Sequence, residues 1–433
     1  MKQLTGQPTS RMHSLYFWCA AGFSILAIAI HLYIIYRYSS GMPYRDDFDA
    51  IFGFLNPLPN LTFPQQFLHL FSQNNEHRIF LDNVISLLMV SLTGKFDFVW
   101  MIWIGNIGWF LIVFLFWKYT KKNQVSFVEF SPILIGMMCL SHYELMTMAM
   151  AGVQHYFQVF FCILSIYYLV SGSITLALSF FICAIFSSGG GICVVPVIFL
   201  YYFSKKEWRN LLISACVVAA VFIVYFPLLG YVQPATHPNV LLALQSPLYL
   251  VTYAMGFLGN IGNTYKFSIG LGIAFTAFLT FKWKFLYAKY PFLFWLTAYL
   301  LVTAMTNAIT RGAIGIRTGQ GSRYTTYSLI FTSIVYLSCL FSASSIKIRM
   351  RTVGAGFFLS IVIFSYWFGH GQENIAARYE DLESGVLQHP SLDYAVTTLK
   401  RATEIGYYYP TITPIPPIDP KAPQWIHLPL LLL

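Results

Sequence analysis

The sequence predicts an all-α, polytopic helical membrane protein of about eleven transmembrane helices, with the N-terminus inside and the C-terminus outside. Three observations predict it. Of the 433 residues 57% are hydrophobic and only 10% charged, far below the roughly 25% charged of a water-soluble domain. Long apolar runs recur from Leu15 to Trp367, whereas a barrel alternates apolar and polar residues in short strands. The net charge of +10 is carried mainly by short Lys/Arg clusters between those runs, as the positive-inside bias produces. That distribution excludes a nucleic-acid partner.

The first run, Leu15 to Tyr36, covers about 33 Å as a helix, enough for a bilayer core. Lys2 and Arg11 before it place the N-terminus inside. A polar stretch, 37–97, follows as the first outer loop, and Phe98–Trp117 returns to Lys118, Lys121 and Lys122. Phe130–Leu140 leads out to His142 and Glu144, and His155–Val170 comes back. Ser173–Phe186 and Ile192–Phe203 flank a Gly-rich outer turn, 187–191, before Lys205, Lys206 and Arg209. Leu211–Leu229 opens onto an outer stretch with Pro234 and Pro238, and Ser268–Phe281 returns to Lys282, Lys284 and Lys289. Phe292–Ala308, Tyr324–Phe341 and Val353–Phe368 complete the set, with Lys347, Arg349 and Arg351 inside. The division is a membrane domain, 1–368, and a small outer tail, 369–433. In that tail two short helices are expected, near Asn374–Val386 and Leu392–Ile405, and then a Pro-rich segment, Tyr409–Pro423, able to lie across a binding site. The seven cysteines form no CxxC pair, and those within apolar runs read as small core residues.

Charges concentrate at three places on the predicted outer side. Asp46, Asp47 and Asp49 put three carboxylates within four residues. Their mutual repulsion favours a raised proton affinity or a cationic partner, as a general base requires. Asp47 and Asp49 as a DxD pair would instead suit a divalent metal, and either residue suits an N-cap of a helix over Phe48–Leu55. Glu76, His77 and Arg78 set an acid, an imidazole and a fixed cation side by side. Consecutive positions cannot share a helix face, so each meets a different partner, ahead of an interfacial helix over Ile79–Leu92. Arg311, Arg317 and Arg323, the last followed by Tyr324, recur every six residues among four glycines. The spacing turns each by about 240° on a helix, so an irregular cationic loop is expected. Guanidinium forks in such a loop grip phosphate, and their outer position runs against the positive-inside bias.

Asp46-Asp47 after the first span, Asn75-Glu76-His77-Arg78, Ser322-Arg323-Tyr324 and the many spans together resemble the GT-C class of membrane glycosyltransferases. Within it the chain is similar to bacterial envelope enzymes, including the phage-type serotype-converting O-antigen glucosyltransferases. The resemblance implies a GT-C-like fold and transfer of a hexose, in those enzymes glucose, from a polyprenyl-phosphate donor to a lipid-linked glycan such as the O-antigen of lipopolysaccharide. It also implies an active site on the periplasmic face of the bacterial inner membrane. Asp46 or Asp47 would be the catalytic base, and Arg311, Arg317 and Arg323 would hold the leaving phosphate. No cofactor is required by this chemistry, with Mg²⁺ or Mn²⁺ left open. The chain lacks the large outer domain of many such enzymes, which favours a lipid-linked acceptor. An O-antigen polymerase or ligase and a lipid-linked sugar transporter are the alternatives.

Overall fold

The computed structural model describes residues 10–234 and 245–411. Pro238, Lys2 and residues 412–423 of the Pro-rich segment lie outside them. Among the described residues the fold is all α, apart from one two-residue hairpin. In order come α1 (Ser10–Tyr38), α2 (Phe63–His69), β1 (Gln73–Asn74), β2 (His77–Arg78), α3 (Phe80–Thr93), α4 (Phe98–Lys122), α5 (Phe127–Met137), α6 (Tyr143–Thr147), α7 (Ala149–Val170), α8 (Ile174–Ser187), α9 (Val195–Lys205), α10 (Trp208–Ile223), α11 (Pro247–Leu258), α12 (Tyr265–Phe281), α13 (Trp283–Lys289), α14 (Pro291–Arg311), α15 (Thr325–Phe341), α16 (Ile346–Glu383) and α17 (Leu392–Ile405). Seven helices are long and apolar enough to cross a membrane, or eight if α12 and α13, bent by 60°, form one span.

The starts of these helices follow ordinary capping chemistry. Asp97 caps α4 by accepting from the Val99 and Trp100 N–H groups (2.8 and 3.2 Å). Ser126 and Glu129 form a capping box on α5. Glu129 also receives the Arg349 guanidinium from the first turn of α16.

Three features of the helices bear on function, the first two of them differences from the sequence expectation. First, α16 runs unbroken for 38 residues, through the expected boundary at 368 and through Gly369 and Gly371 just beyond it. Arg349 and Arg378, both on this helix, are therefore about 43 Å apart along its axis. The basic turn lies at one end of the molecule and the acidic loop at the other. Second, the stretch after Leu229, expected as an outer segment, contains a helix, α11, of 12 residues that packs on α12 and α14. Third, α3 is inside out. Asp82, Asn83 and Ser86 are buried, while Leu88 and Leu92 stand 53% and 81% exposed. The helix expected over Ile79–Leu92 is thus present, with an apolar outer face of the kind that meets lipid or a partner.

The segment after α16 returns across the first loop. Gln388 O accepts from Arg45 N (2.8 Å), and the Tyr408 hydroxyl donates to Gly41 O (2.7 Å). The Tyr408 ring packs on Phe52 and Phe98.

Candidate active site

Two of the three charged clusters begin on a backbone strain. Arg45 and Asn75, the residues just before Asp46 and Glu76, both have φ near +48°. A left-handed conformation costs an ordinary residue about 1–2 kcal/mol, less for asparagine.

The three aspartates of the first cluster go to three different environments. Asp47 is buried at 2% exposure. One carboxylate oxygen accepts from Tyr44 N (3.0 Å) and the other from Met150 N (3.0 Å), in the first turn of α7. It thus caps a helix more than a hundred residues away and not the turn it begins. Burial raises its pKa to about 7, with Asp46 adding to the rise, while the two N–H groups and Arg378 oppose it. Asp49 is exposed and accepts from His389 Nε2 (3.1 Å). Asp46 is half-buried, its carboxylate makes no hydrogen bond or ion pair among the described residues, and it lies within electrostatic reach of Arg323.

The DxD expectation is therefore corrected. Asp47 points into the protein with both oxygens on N–H groups, and Asp49 points to the C-terminal segment. Among the described residues no three His, Cys, Asp or Glu side chains converge as metal ligands, so the residues present do not fit Mg²⁺ or Mn²⁺ held by this pair.

Arg323 N and Nε both donate to one Glu144 carboxylate oxygen (3.2 and 3.4 Å), and Glu144 N donates to Ser322 Oγ (3.1 Å). Arg311 is ion-paired with Glu76, whose carboxylate also faces His77 Nε2 at 3.4 Å. His155, on α7, lies within electrostatic reach of both His77 and Arg323, so the two Glu–Arg pairs sit around one region. Arg317 is exposed and has no ion-pair partner among the described residues. Tyr324 packs its ring on Phe257 (5.4 Å). The arginine loop is irregular, as expected: three short 3₁₀ turns lie between Arg311 and Thr325.

What fixes that loop is α11. Tyr249 donates to Gly312 O and Tyr253 to Asn307 Oδ1, each at 2.7 Å. The Tyr253 ring leaves no room for a side chain at Gly319, where a Cβ would come within 2.6 Å of it.

Arg78 belongs to the framework. Its Nε donates to Tyr225 O (2.9 Å), Nη1 to Phe71 O (2.7 Å) and Nη2 to Leu229 O (2.9 Å), at 2% exposure. As a substrate ligand it is corrected: a guanidinium buried on three carbonyls is a pin between the first loop and the end of the α10 span. Arg78→Ala leaves those acceptors buried and unpaired, at a cost of about 3 kcal/mol. The expected result is a lower thermal midpoint and loss of expression, and an unchanged midpoint contradicts the assignment.

Three further residues belong to this end of the molecule. Glu144 stands in the short helix α6. Arg378, on the extension of α16, donates to Tyr143 O (3.3 Å), covers the Tyr44 ring and faces Asp47. Asp82, in α3, has 0% exposure and both carboxylate oxygens without a partner. Its sequence signal is a polar stripe, Asp82 and Ser86 at i and i+4, in an otherwise apolar run. Burial, reinforced by the nearby Asp47 charge, holds the Asp82 carboxyl well above its usual range.

Because the folded state keeps that proton and the unfolded state releases it above about pH 4, stability is lost as pH rises. Asp82→Asn removes the loss. Its apparent thermal midpoint should match wild type near pH 4 and exceed it increasingly from pH 5 to 8. Parallel curves would show that Asp82 is ionised in the folded protein.

No protein-family model matches the sequence, and comparisons with curated proteins and with solved structures return no match, so the functional reading rests on the geometry of Asp46, Arg323 and their neighbours.

Proposed function

We propose that this chain is a GT-C-like hexosyltransferase of the bacterial inner membrane, working on the periplasmic face and using a polyprenyl-phosphate sugar, with glucose as the expected hexose. The observation that carries the proposal is the Asp46 carboxylate, half-buried and without a hydrogen bond or ion pair among the described residues, within electrostatic reach of Arg323 in the arginine loop. In this reading the chain crosses the membrane eleven times, N-terminus inside and C-terminus outside. The eight spans are completed by the shorter helices α5, α8 and α9.

Asp46 is the base. Its carboxylate accepts the proton of an acceptor hydroxyl as that oxygen bonds to the anomeric carbon of the donor sugar. The bond from this carbon to the phosphate oxygen breaks, and its electron pair leaves with the phosphate. Arg323, Arg311 and Arg317 supply positive charge where that charge collects. Asp47 holds the base in place by tying its loop to α7. An apolar groove of about 370 Å³ between α3 and α4, with Lys95 at its lip and Leu88, Leu92 and Trp100 along it, suits a lipid-linked substrate.

One observation favours the transport alternative: the buried acid Asp82, since unpaired carboxyls inside membrane proteins mark ion paths. The test is direct. Purified protein in nanodiscs, given a polyprenyl-phosphate hexose and a lipid-linked glycan, is expected to yield elongated glycan and free polyprenyl phosphate. No product across a panel of hexose donors, with a proton-driven lipid flux instead, would establish the alternative.

A further inference from the structure

Two of the three arginines of the loop are already neutralised. Glu144 takes both the backbone N–H and the Nε–H of Arg323 on a single oxygen, and Glu76 takes the Arg311 guanidinium. Neither pair is sealed. The side chains are 32% and 22% exposed for Arg323 and Glu144, and 30% and 17% for Arg311 and Glu76. Solvent-screened pairs of this kind contribute about 0–1 kcal/mol, and the Arg323–Glu144 contacts are long, above the 2.7–2.9 Å of a strong charge-assisted bond. By contrast, Arg349 at the far end of α16 presents two nitrogens to two different oxygens of Glu129, the fork geometry of a permanent pair. The Glu144 contact leaves the outer edge of the Arg323 guanidinium uncommitted.

We infer that Glu144 and Glu76 are placeholders: they occupy Arg323 and Arg311 in the resting protein and are displaced by the anionic oxygens of a phosphate-bearing ligand. This rests on the proposed reading of the loop as a phosphate site, and it adds the regulation of that site. An exposed, unpaired arginine cluster at a membrane surface gathers every anionic lipid headgroup. A carboxylate on each arginine sets a threshold that only a ligand offering a fork-matched phosphate on both arginines passes. The displaced Glu144 keeps its Ser322 tether through its backbone N–H, so its side chain swings aside without unfolding the loop.

The placeholder role gives a sign opposite to that of a supporting contact. Glu144→Gln keeps a carbonyl acceptor for Arg323 N and removes only the competing charge. Affinity is read by titration of the purified full chain with a polyprenyl phosphate. The parent polyprenol and inorganic phosphate serve as separate arms, which distinguish a lipid headgroup from free phosphate. Glu144→Gln should bind the lipid phosphate about threefold to tenfold more tightly than wild type. Arg323→Ala should bind it at least tenfold more weakly. In Arg323→Ala the further change Glu144→Gln should bring no gain, because the competition acts through that arginine. A weaker or unchanged Glu144→Gln overturns the inference, as does an equal gain with Arg323 absent, which would show unspecific charge repulsion. Sugar transfer plays no part in these titrations. A failed transfer assay with this sign pattern overturns the transferase reading alone, and the converse overturns the placeholder.

Discussion

Asp46→Asn should lower sugar transfer by roughly 10²–10⁴, the usual contribution of a positioned general base, while leaving the unfolding free energy within about 1 kcal/mol of wild type. The carboxylate has no structural bond to lose, and Asn fills the same volume. The loss should fall on kcat with KM little changed, because the base acts on the proton in flight and not on the resting substrate. Asp47→Asn is expected to behave in the opposite manner. Its amide NH₂ would face one of the two N–H groups that the carboxylate now satisfies, so stability falls and the acidic loop loosens from α7. Asp49→Asn should retain most activity, since Asp49 faces His389 on the C-terminal segment. Full transfer in Asp46→Asn with none in a well-folded Asp47→Asn would move the base to Asp47. In that case activity should also fall as pH drops through about 7, where Asp47 takes up its proton.

Gly272→Ala should cost about 3 kcal/mol and weaken phosphate binding at Arg323, 51 residues further along the sequence. At this crossing α11 and α12 touch through backbone. A Cβ on Gly272 would lie 1.9 Å from Met255 O, and one on Gly259 2.0 Å from Ser268 O. No flexible side chain stands there to yield, so the helices must part. The turn they hold carries Asn260, whose amide donates to Gly321 O (3.1 Å), and Ile261, whose N–H donates to Ser328 Oγ (2.9 Å). Those two bonds flank Arg323. Gly270→Ala is the control, since its Cβ would meet nothing within 4 Å. Equal thermal midpoints for the two variants would show that the crossing slides without cost.

Much of the framework was legible because apolar length is a strong signal. The sequence places α1, α4, α14 and α15 within a few residues, and the helix Leu392–Ile405 matches α17. What stayed hidden depends on partners distant in the chain. Nothing local to Asp47 states that its acceptors are spent on Tyr44 and on Met150, 103 residues on. Arg78 looks like a ligand beside His77, and only the folded chain brings it the carbonyls of Phe71, Tyr225 and Leu229. Arg378 reads as one charge in a polar tail until α16 is seen to continue through it. The burial of Asp82 was obscured by the ordinary rule that polar faces look outward, which reverses where the surroundings are lipid.

The acidic loop and the segment that backs it are made at opposite moments of synthesis. Arg45 and Gln388 are bonded across 343 residues, on the order of half a minute of translation at 5–20 residues per second. Throughout that interval the loop that carries Asp46 is tied to α7 by Asp47 but lacks its C-terminal backing. A ribosome that stops early leaves a chain that spans the membrane but lacks the backing of Gln388, His389 and Tyr408. Completion of the chain thereby adds the last layer of support to the acidic loop, which only finished molecules carry.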